Sequence, residues 1–257
     1  EFDIIDTVPQ AQQADVESNP ALDLVRVPSG LVLVAGINAR RPYLDDARVR
    51  RALNMAVDTE VVLDVAYGGG TQVGTFMEAG SPWYPESVKP YPYDPEKAKD
   101  LWAQADEISP FTGEFTLSYN ADGGHQAWVD AVVNSIRNTL GIEAVGNPYP
   151  DFKSLRDDVT GRTIQGAFRT GWQADYPSQG NFLGPLYGTG AGSNDGDYSN
   201  ADFDAKLAEA AAAETPEDAS RIYNEAQEIL FRDLPAVPLW YSNLTGGFSE
   251  HVDNVVF

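Results

Sequence analysis

The segment FRTGWQADYP (168–177) places a cation, an aromatic ring and an anion close together in the chain. Arg169 precedes Trp172 by three positions and Asp175 by six. An arginine offers two parallel N–H donors to a carboxylate, and an aspartate offers acceptor oxygens to an ammonium group, so the segment could recognise a zwitterion. Taken alone, an Arg and an Asp near a strand end more often form a surface ion pair, and a lone Trp more often lies in the core.

The residues that lead into this segment, IQGAFRT, are typical of a strand. In an extended strand Arg169 and Gly171 share one face and Trp172 takes the other, until the turn indicated by Tyr176-Pro177 ends the alternation. Gly171 has no side chain to block an approaching backbone. A second extended chain could therefore pair along this edge.

Other residue types that carry chemistry are scarce. The chain has no cysteine, and its only histidines, His125 and His251, lack a metal-ligand spacing. No G-x-S-x-G elbow is present to expose a nucleophilic serine. Asp157 and Asp158 could form the carboxylate pair of a glycosidase, but adjacent residues on a helix point apart. We therefore expect no metal and no cofactor.

Aromatic residues are concentrated in a loop that is rich in Gly and Pro, residues 71–93. We predict that this loop is ordered and held in place by Trp83, Tyr84, Tyr91 and Tyr93, because these residues are too apolar for a free linker. They could form a small hydrophobic core under this loop, or serve as sugar platforms in an enzyme that acts on glycans.

The chain is strongly acidic. It carries 17 Lys and Arg against 39 Asp and Glu, a formal net charge of -22. Such a surface repels phosphate backbones and anionic lipid headgroups, so we expect no nucleic-acid partner. Three arginines of one predicted helix, Arg48, Arg50 and Arg51, are interpreted as solvated partners of the neighbouring aspartates.

The two ends of the chain suggest a piece of a longer protein. No apolar run approaches the roughly 20 residues that span a bilayer, and no basic-then-apolar leader opens the sequence. The chain begins at Glu1 and stops at Phe257 directly after the strand-like VDNVVF. We therefore expect a fragment.

Hydrophobic periodicity predicts alternating strands and helices. LVLVAGI (31–37) has the composition of a buried strand, and EFTLSYN (114–120) alternates like a half-buried one. The clearest helix is HQAWVDAVVNSIRNTL, and Asp46, Asp58 and Asp94 are predicted to cap three others. A loop is predicted over 184–200, followed by two helices and the strand AVPLWYS. This alternation favours an α/β layer architecture.

Four segments together resemble a known family, the extracytoplasmic solute-binding proteins of ATP-driven peptide importers, which also includes nickel and some oligosaccharide binders. The first segment is RPYLDDARVRRALNMAVDTEVV, similar to the family's signature helix-turn-helix. The others are YPYDPEKAKDLWAQA, YNADGGHQAWVDAVVNSIRNTLGIEA and YNEAQEILFRDLPAVPLWYS. The likeness spans nearly the whole chain.

The resemblance implies an α/β fold: a periplasmic-binding-protein type II-like lobe with a mixed sheet flanked by helices. Members have two such lobes joined by a hinge, and residues 1–257 resemble the C-terminal one. Residues of about 1–35 and 242–257 are expected to lie near the hinge, and 36–241 to form the lobe body. The N-terminal lobe is not present in the sequence.

The resemblance also implies roles for the segment described first. The family's aspartate, matched by Asp175, pairs with the ligand's α-ammonium group. Positions matching Gly171 and Gln173 provide strand-like backbone contacts, and the arginine matched by Arg169 binds ligand carboxylates in some members. Trp172 completes the set of expected ligand-binding positions.

The function implied is that of a carrier and not of an enzyme. The protein is expected to capture extended peptides between two lobes and to deliver them to an ABC permease with its ATPase subunits. It is expected to be monomeric and extracytoplasmic, in the periplasm or at the cell surface as an anchored lipoprotein. A glycan-active hydrolase, or a carrier of oligosaccharides or chelated nickel, is the alternative.

Overall fold

A computed structural model of the chain describes residues 3–5, 8–37, 41–67, 71–72, 75–76 and 91–255. The strands of its sheet are β1 Ile4–Ile5, β2 Leu22–Ile37, β3 Thr71–Gln72, β4 Phe115–Asn120, β5 Ala144–Tyr149, β6 Ala167–Gln173 and β7 Ala236–Ser249. The helices are α1 Gln10–Ser18, α2 Ala47–Met55, α3 Thr59–Tyr67, α4 Pro95–Asp106, α5 Gln126–Leu140, α6 Phe152–Thr160, α7 Gln179–Tyr187, α8 Ala201–Ala211 and α9 Pro216–Asp233.

The strands lie in the order β1-β7-β2-β6-β4-β5, and β3 pairs with β7. β4 runs parallel to both β5 and β6, whereas the other pairs are antiparallel. The predicted mixed sheet flanked by helices is therefore confirmed. The carboxyl ends of β4, β5 and β6 meet at one edge of the sheet.

Helix boundaries follow the predicted capping residues. Asp46 accepts a hydrogen bond from the backbone N–H of Arg48, and Asp94 accepts one from Lys97. Asp58 accepts from the N–H of Val61 in the same way. Gly141 ends α5 in the left-handed conformation, with φ of 70°.

Helices cover both faces of the sheet, and this arrangement corrects one prediction. β4 is not half-buried, because Ser118 and Asn120 on its second face are buried as well. The adjacent strand β6 shows the reason, because its successive side chains point to opposite faces of the sheet. Ala167 packs in a core cluster with residues of α5, and Phe168 packs in another cluster with Leu155 of α6. A strand between two such layers has no solvent-facing side.

The interpretation of the arginines on α2 is partly wrong. Arg48 does pair with Asp46 at 2.5 Å. Arg50, however, is buried, and its guanidinium donates to the carbonyl oxygens of Asp233, Leu234 and two residues of the turn before α2. Its burial lowers the pKa of the guanidinium. Arg50 thus closes the C-terminal end of α9 instead of facing solvent.

Two further elements differ from prediction. The predicted loop over 184–200 begins inside α7, which continues to Tyr187 despite Pro185 within it. The strand-like C-terminal segment forms no strand over 252–255. None of the helices within the described ranges is long and apolar enough to cross a membrane.

Candidate ligand-binding site

The outer half of β6 has a free edge in the part of the chain that the structure describes. β2 pairs with β6 along its whole length, from Ala167 to Gln173. β4 pairs only with Ala167 and Phe168 on the other side. β4 ends at Asn120, where the chain turns through a 3-10 turn into α5. Residues 169–173 therefore present an edge to which an extended chain could add.

Side chains alternate along this edge as predicted. Trp172 is half-buried and packs against the core cluster that includes residues of α7 and α9. Arg169 lies on the other face, with its guanidinium carbon 5.7 Å from the centre of the Phe152 ring. This distance is within the range of a cation–π interaction. Gly171 is half-buried and Gln173 is exposed.

Arg169 also acts on a buried histidine at the start of α5. Burial and then the charge of Arg169 lower the pKa of His125 to about 4, against the opposite effect of Asp122. The indole N–H of Trp128 donates to Nδ1 of His125 at 3.0 Å. Because an indole N–H is a donor only, the neutral imidazole carries its proton on Nε2.

Asn120 lies beside this histidine at the carboxyl end of β4. Its Nδ2 donates to Asp122 at 2.7 Å, whereas its buried Oδ1 meets no donor within the described ranges. A Cβ atom added to Gly123 would lie within 3 Å of both the Asn120 amide nitrogen and Nε2 of His125, which shows how close these groups are. The carboxyl ends of β4 and β6 thus combine a guanidinium, an imidazole and an amide.

Asp175 lies in the turn that follows β6. Its side chain is exposed and forms no ion pair with any described residue. Its backbone N–H donates to Oδ1 of Asn181 in α7 at 2.8 Å. The carboxylate is therefore neither buried nor neutralised by a cation of the described part of the lobe.

The structure places all five predicted positions on one strand end and the turn after it, with Arg169 and Asp175 at opposite ends. Their roles as ligand contacts stay predictions. Sequence reasoning did not select His125, Phe152, Asn120 or Asn181. A usable signal existed for the first three, because each follows or ends a predicted strand, and ligands of α/β proteins bind outside the carboxyl ends of strands.

The other candidate groups do not converge on this site. Trp83 and Tyr84 lie outside the described residues, while Tyr91 packs against two core clusters and Tyr93 is 47 % exposed. Asp157 pairs with Lys153 at 2.5 Å, and Asp158 accepts from the Tyr149 hydroxyl. The two carboxylates thus have separate structural partners. Among the described residues, no group of three His, Asp or Glu is placed to hold a metal ion.

An α/β lobe with a free strand edge at the carboxyl ends of its parallel strands is typical of a ligand-binding protein. The family model for "Bacterial extracellular solute-binding proteins, family 5 Middle" matches residues 1–194, and the chain belongs to this family. The resemblance described from the sequence is thereby confirmed.

Relatives with curated descriptions are similar along most of the chain. A heme-binding protein A of Haemophilus influenzae is 28% identical over 239 residues, which are 90% of this chain and 43% of that protein. A glutathione-binding protein, GsiB of Salmonella choleraesuis, is 28% identical over 255 residues, 95% of this chain and 49% of its own length. The chain therefore spans somewhat under half the length of these relatives.

Solved structures share the fold. The periplasmic binding protein DppA from Helicobacter pylori, in complex with the peptide STSA, matches 98% of this chain and 49% of that chain, with a TM-score of 0.89 and 22% identity. A dipeptide-binding protein from Pseudoalteromonas, in complex with Met-Leu, matches all of this chain and 52% of that chain, with a TM-score of 0.84 and 20% identity. The predicted periplasmic-binding-protein type II-like fold is confirmed.

Proposed function

We propose that this chain is the C-terminal lobe of a two-lobe carrier that captures extended peptides by closing about a hinge. The segments of about 1–35 and 242–257 lie near that hinge in this proposal, and the N-terminal lobe supplies the second wall of the cleft. The complete protein is a monomeric extracytoplasmic lipoprotein that delivers its ligand to an ABC permease with ATPase subunits. It makes and breaks no covalent bond.

One observation carries the proposal: Arg169 begins the outer edge of β6 that is free of any described strand, and Asp175, of opposite charge, lies in the turn just after that edge. Residues 169–173 can form backbone hydrogen bonds with a peptide in extended conformation. Arg169 then stands where a ligand carboxylate is needed, and Asp175 where a ligand ammonium group is needed. Six residues span at most about 20 Å of extended chain, a length suited to a short peptide.

A group beside Arg169 supports the same orientation of the ligand. The Nε2–H of His125 is a second donor for a carboxylate. The net charge of -22 does not exclude such a ligand, because Arg169 places a positive charge at this end of β6.

The direct test is Asp175→Asn in the full-length protein. We expect affinity for peptides with a free α-amino group to fall by roughly 2 to 5 kcal/mol, which is about thirty-fold or more, because a ligand ammonium group would be left without its partner. Isothermal titration calorimetry with a peptide that co-purifies with the wild type measures this change. Asp64→Asn, an exposed aspartate on α3, is the matched control and is expected to bind like the wild type.

Unchanged affinity in Asp175→Asn would show that Asp175 is not part of the site.

Mass spectrometry of the purified protein distinguishes the carrier function from the main alternative, an enzyme that acts on glycans. Bound peptide supports capture, whereas release of reducing sugar from a glycan panel would contradict it.

A further inference from the structure

The position of the Asp175 carboxylate depends on the backbone of the turn that carries it. The side chain is exposed and makes no ion pair within the described part of the chain, so no described cation orients it. The hydrogen bond from its backbone N–H to Oδ1 of Asn181, at 2.8 Å, fixes the turn instead. Loss of this bond would leave the turn free to change conformation at the point where the carboxylate starts.

Asn181 is well suited to hold this turn. Its side chain is 4% exposed, although it lies only two residues beyond the start of α7. Its own N–H donates to the carbonyl oxygen of Ser178 at 3.1 Å. The hydroxyl of Ser178 in turn accepts from the N–H of Gly180 and caps the helix. The oxygen that accepts from the Asp175 N–H therefore belongs to the capped and buried N-terminal turn of α7.

A buried polar network then fixes α7 to α9. The amide of Gln179 donates to Ser220 at 2.9 Å and to Asn224 at 3.1 Å, and it accepts from Gln227 at 3.1 Å. Gln179 and Gln227 are 1% and 0% exposed. A buried side-chain network in which all members are hydrogen-bonded holds the helices that it joins in one rigid arrangement. The turn that carries Asp175 is thus connected, through Asn181 and α7, to α9, the longest helix in the described ranges.

We infer that Asn181 is a positioning residue that holds the Asp175 carboxylate in the orientation that binds a ligand ammonium group. This inference rests on the proposed function. An aspartate in a mobile loop would lose backbone conformational entropy on binding, whereas one in a turn that is already fixed avoids that part of the cost. Asn181 makes no contact with the ligand in this account and acts only through Asp175.

Asn181→Leu in the full-length protein tests the inference. The probes are a tripeptide library with free α-amino groups and the same library after N-acetylation. We expect the wild type to prefer the free-amine library, and Asn181→Leu to lower this preference about three- to tenfold, the usual effect of one lost hydrogen bond. Binding of the acetylated library should not change.

A double-mutant cycle separates positioning from a general structural effect. In the Asp175→Asn background, Asn181→Leu should have no further effect on the preference, because the group that it positions is gone. Asn181→Asp keeps an acceptor oxygen at the same place and should restore most of the preference. Asn194→Leu removes another buried asparagine that bonds to backbone, far along the chain in the 188–200 loop, and should lower stability without changing the preference.

The outcomes distinguish two failures. A wild type that shows no preference for free amines overturns the proposed function, and this inference with it. A wild type that prefers free amines, together with an Asn181→Leu variant that keeps the full preference, overturns only the positioning role. An equal effect of Asn181→Leu with and without Asp175 would also overturn that role.

Discussion

At the scale of single residues, His125 is the group whose ionisation the fold changes most clearly near the site. Its imidazole is buried beside the cation Arg169, so protonation would place two positive charges together. It would also remove the Nδ1 lone pair that accepts the Trp128 indole N–H. Both effects favour the neutral ring, and they explain in physical terms why the pKa lies near 4.

This shift makes the stability of the lobe depend on pH. In the unfolded chain the imidazole takes up a proton near its usual pKa of 6.5, and in the folded protein only near pH 4. Acid therefore favours the unfolded state within this window, and the free energy of unfolding rises as the pH rises from 4 to 6.5. The contribution is at most about 3 kcal/mol, and less because the ring is not fully shielded from solvent.

The measurement is a set of urea unfolding curves between pH 4 and 7. His125→Gln is expected to flatten the pH dependence. A His125→Gln variant whose pH dependence equals that of the wild type would contradict the argument.

At the scale of elements, the placement of β6 against β4 decides where the free edge begins. Gly166 precedes β6 and lies so close to β4 that an added Cβ atom would meet the carbonyl oxygen of Thr116 at 2.3 Å. That oxygen belongs to the backbone of a central strand and has no room to move. The contact between these two strands therefore requires a residue without a side chain.

We expect Gly166→Ala to destabilise the protein by about 1–3 kcal/mol, the usual cost of overpacking a filled interior. The matched control is Gly192→Ala, because an added Cβ atom there meets nothing within 4 Å and the backbone is not left-handed. This control should be neutral or slightly stabilising. Chemical denaturation measures both changes, and equal stability of the two variants would show that β6 can shift away from β4.

The elements also show what the sequence can predict and what it cannot. α2 and α5 were predictable because periodic patterns and capping residues mark them, whereas only residues 31–37 of β2 were predicted, from their continuous apolar run. α7 was missed, since Gly180, Gly184 and Pro185 are typical of a loop, whereas its cap by Ser178 and its packing on α8 and α9 favour a helix. The hydrogen bond between Asp175 and Asn181 and the electrostatic effect of Arg169 on His125 depend on folding and leave no periodic trace in the sequence.

The five site positions, which lie within seven residues of one another, were selected by their residue types and by resemblance. Their supporting groups come from other elements: His125 directly before α5, Phe152 from α6 and Asn181 from α7. The burial of Arg50 was unpredictable for the same reason, because its acceptors in α9 lie far away in the chain. Sequence identifies reactive residue types, while long-range packing decides which of them meet.

At the scale of the whole molecule, the net charge of -22 is the dominant electrostatic feature. Many of the cations are already engaged in ion pairs or bonds to carbonyl oxygens, as Lys206 is with Glu209 and Glu225. The remaining carboxylates repel one another across the surface, and folding brings them closer together. Compaction of this chain therefore has an electrostatic cost that dissolved salt can reduce.

The screening length falls from about 10 Å at 0.1 M salt to about 3 Å at 1 M, so repulsion between surface carboxylates is largely removed at the higher concentration. We expect the free energy of unfolding to rise by at least about 1 kcal/mol between 0.1 and 1 M KCl, which raises the Tm by about 2–4 °C for a domain of this size. A variant with Asp64→Asn, Asp130→Asn and Glu228→Gln, all at exposed positions, should be more stable at low salt and respond less to KCl. Thermal unfolding monitored by circular dichroism gives both numbers. If the variant and the wild type gained the same stability from KCl, the effect would come from salt acting on apolar surface, and the repulsion between carboxylates would not limit the stability of this fold.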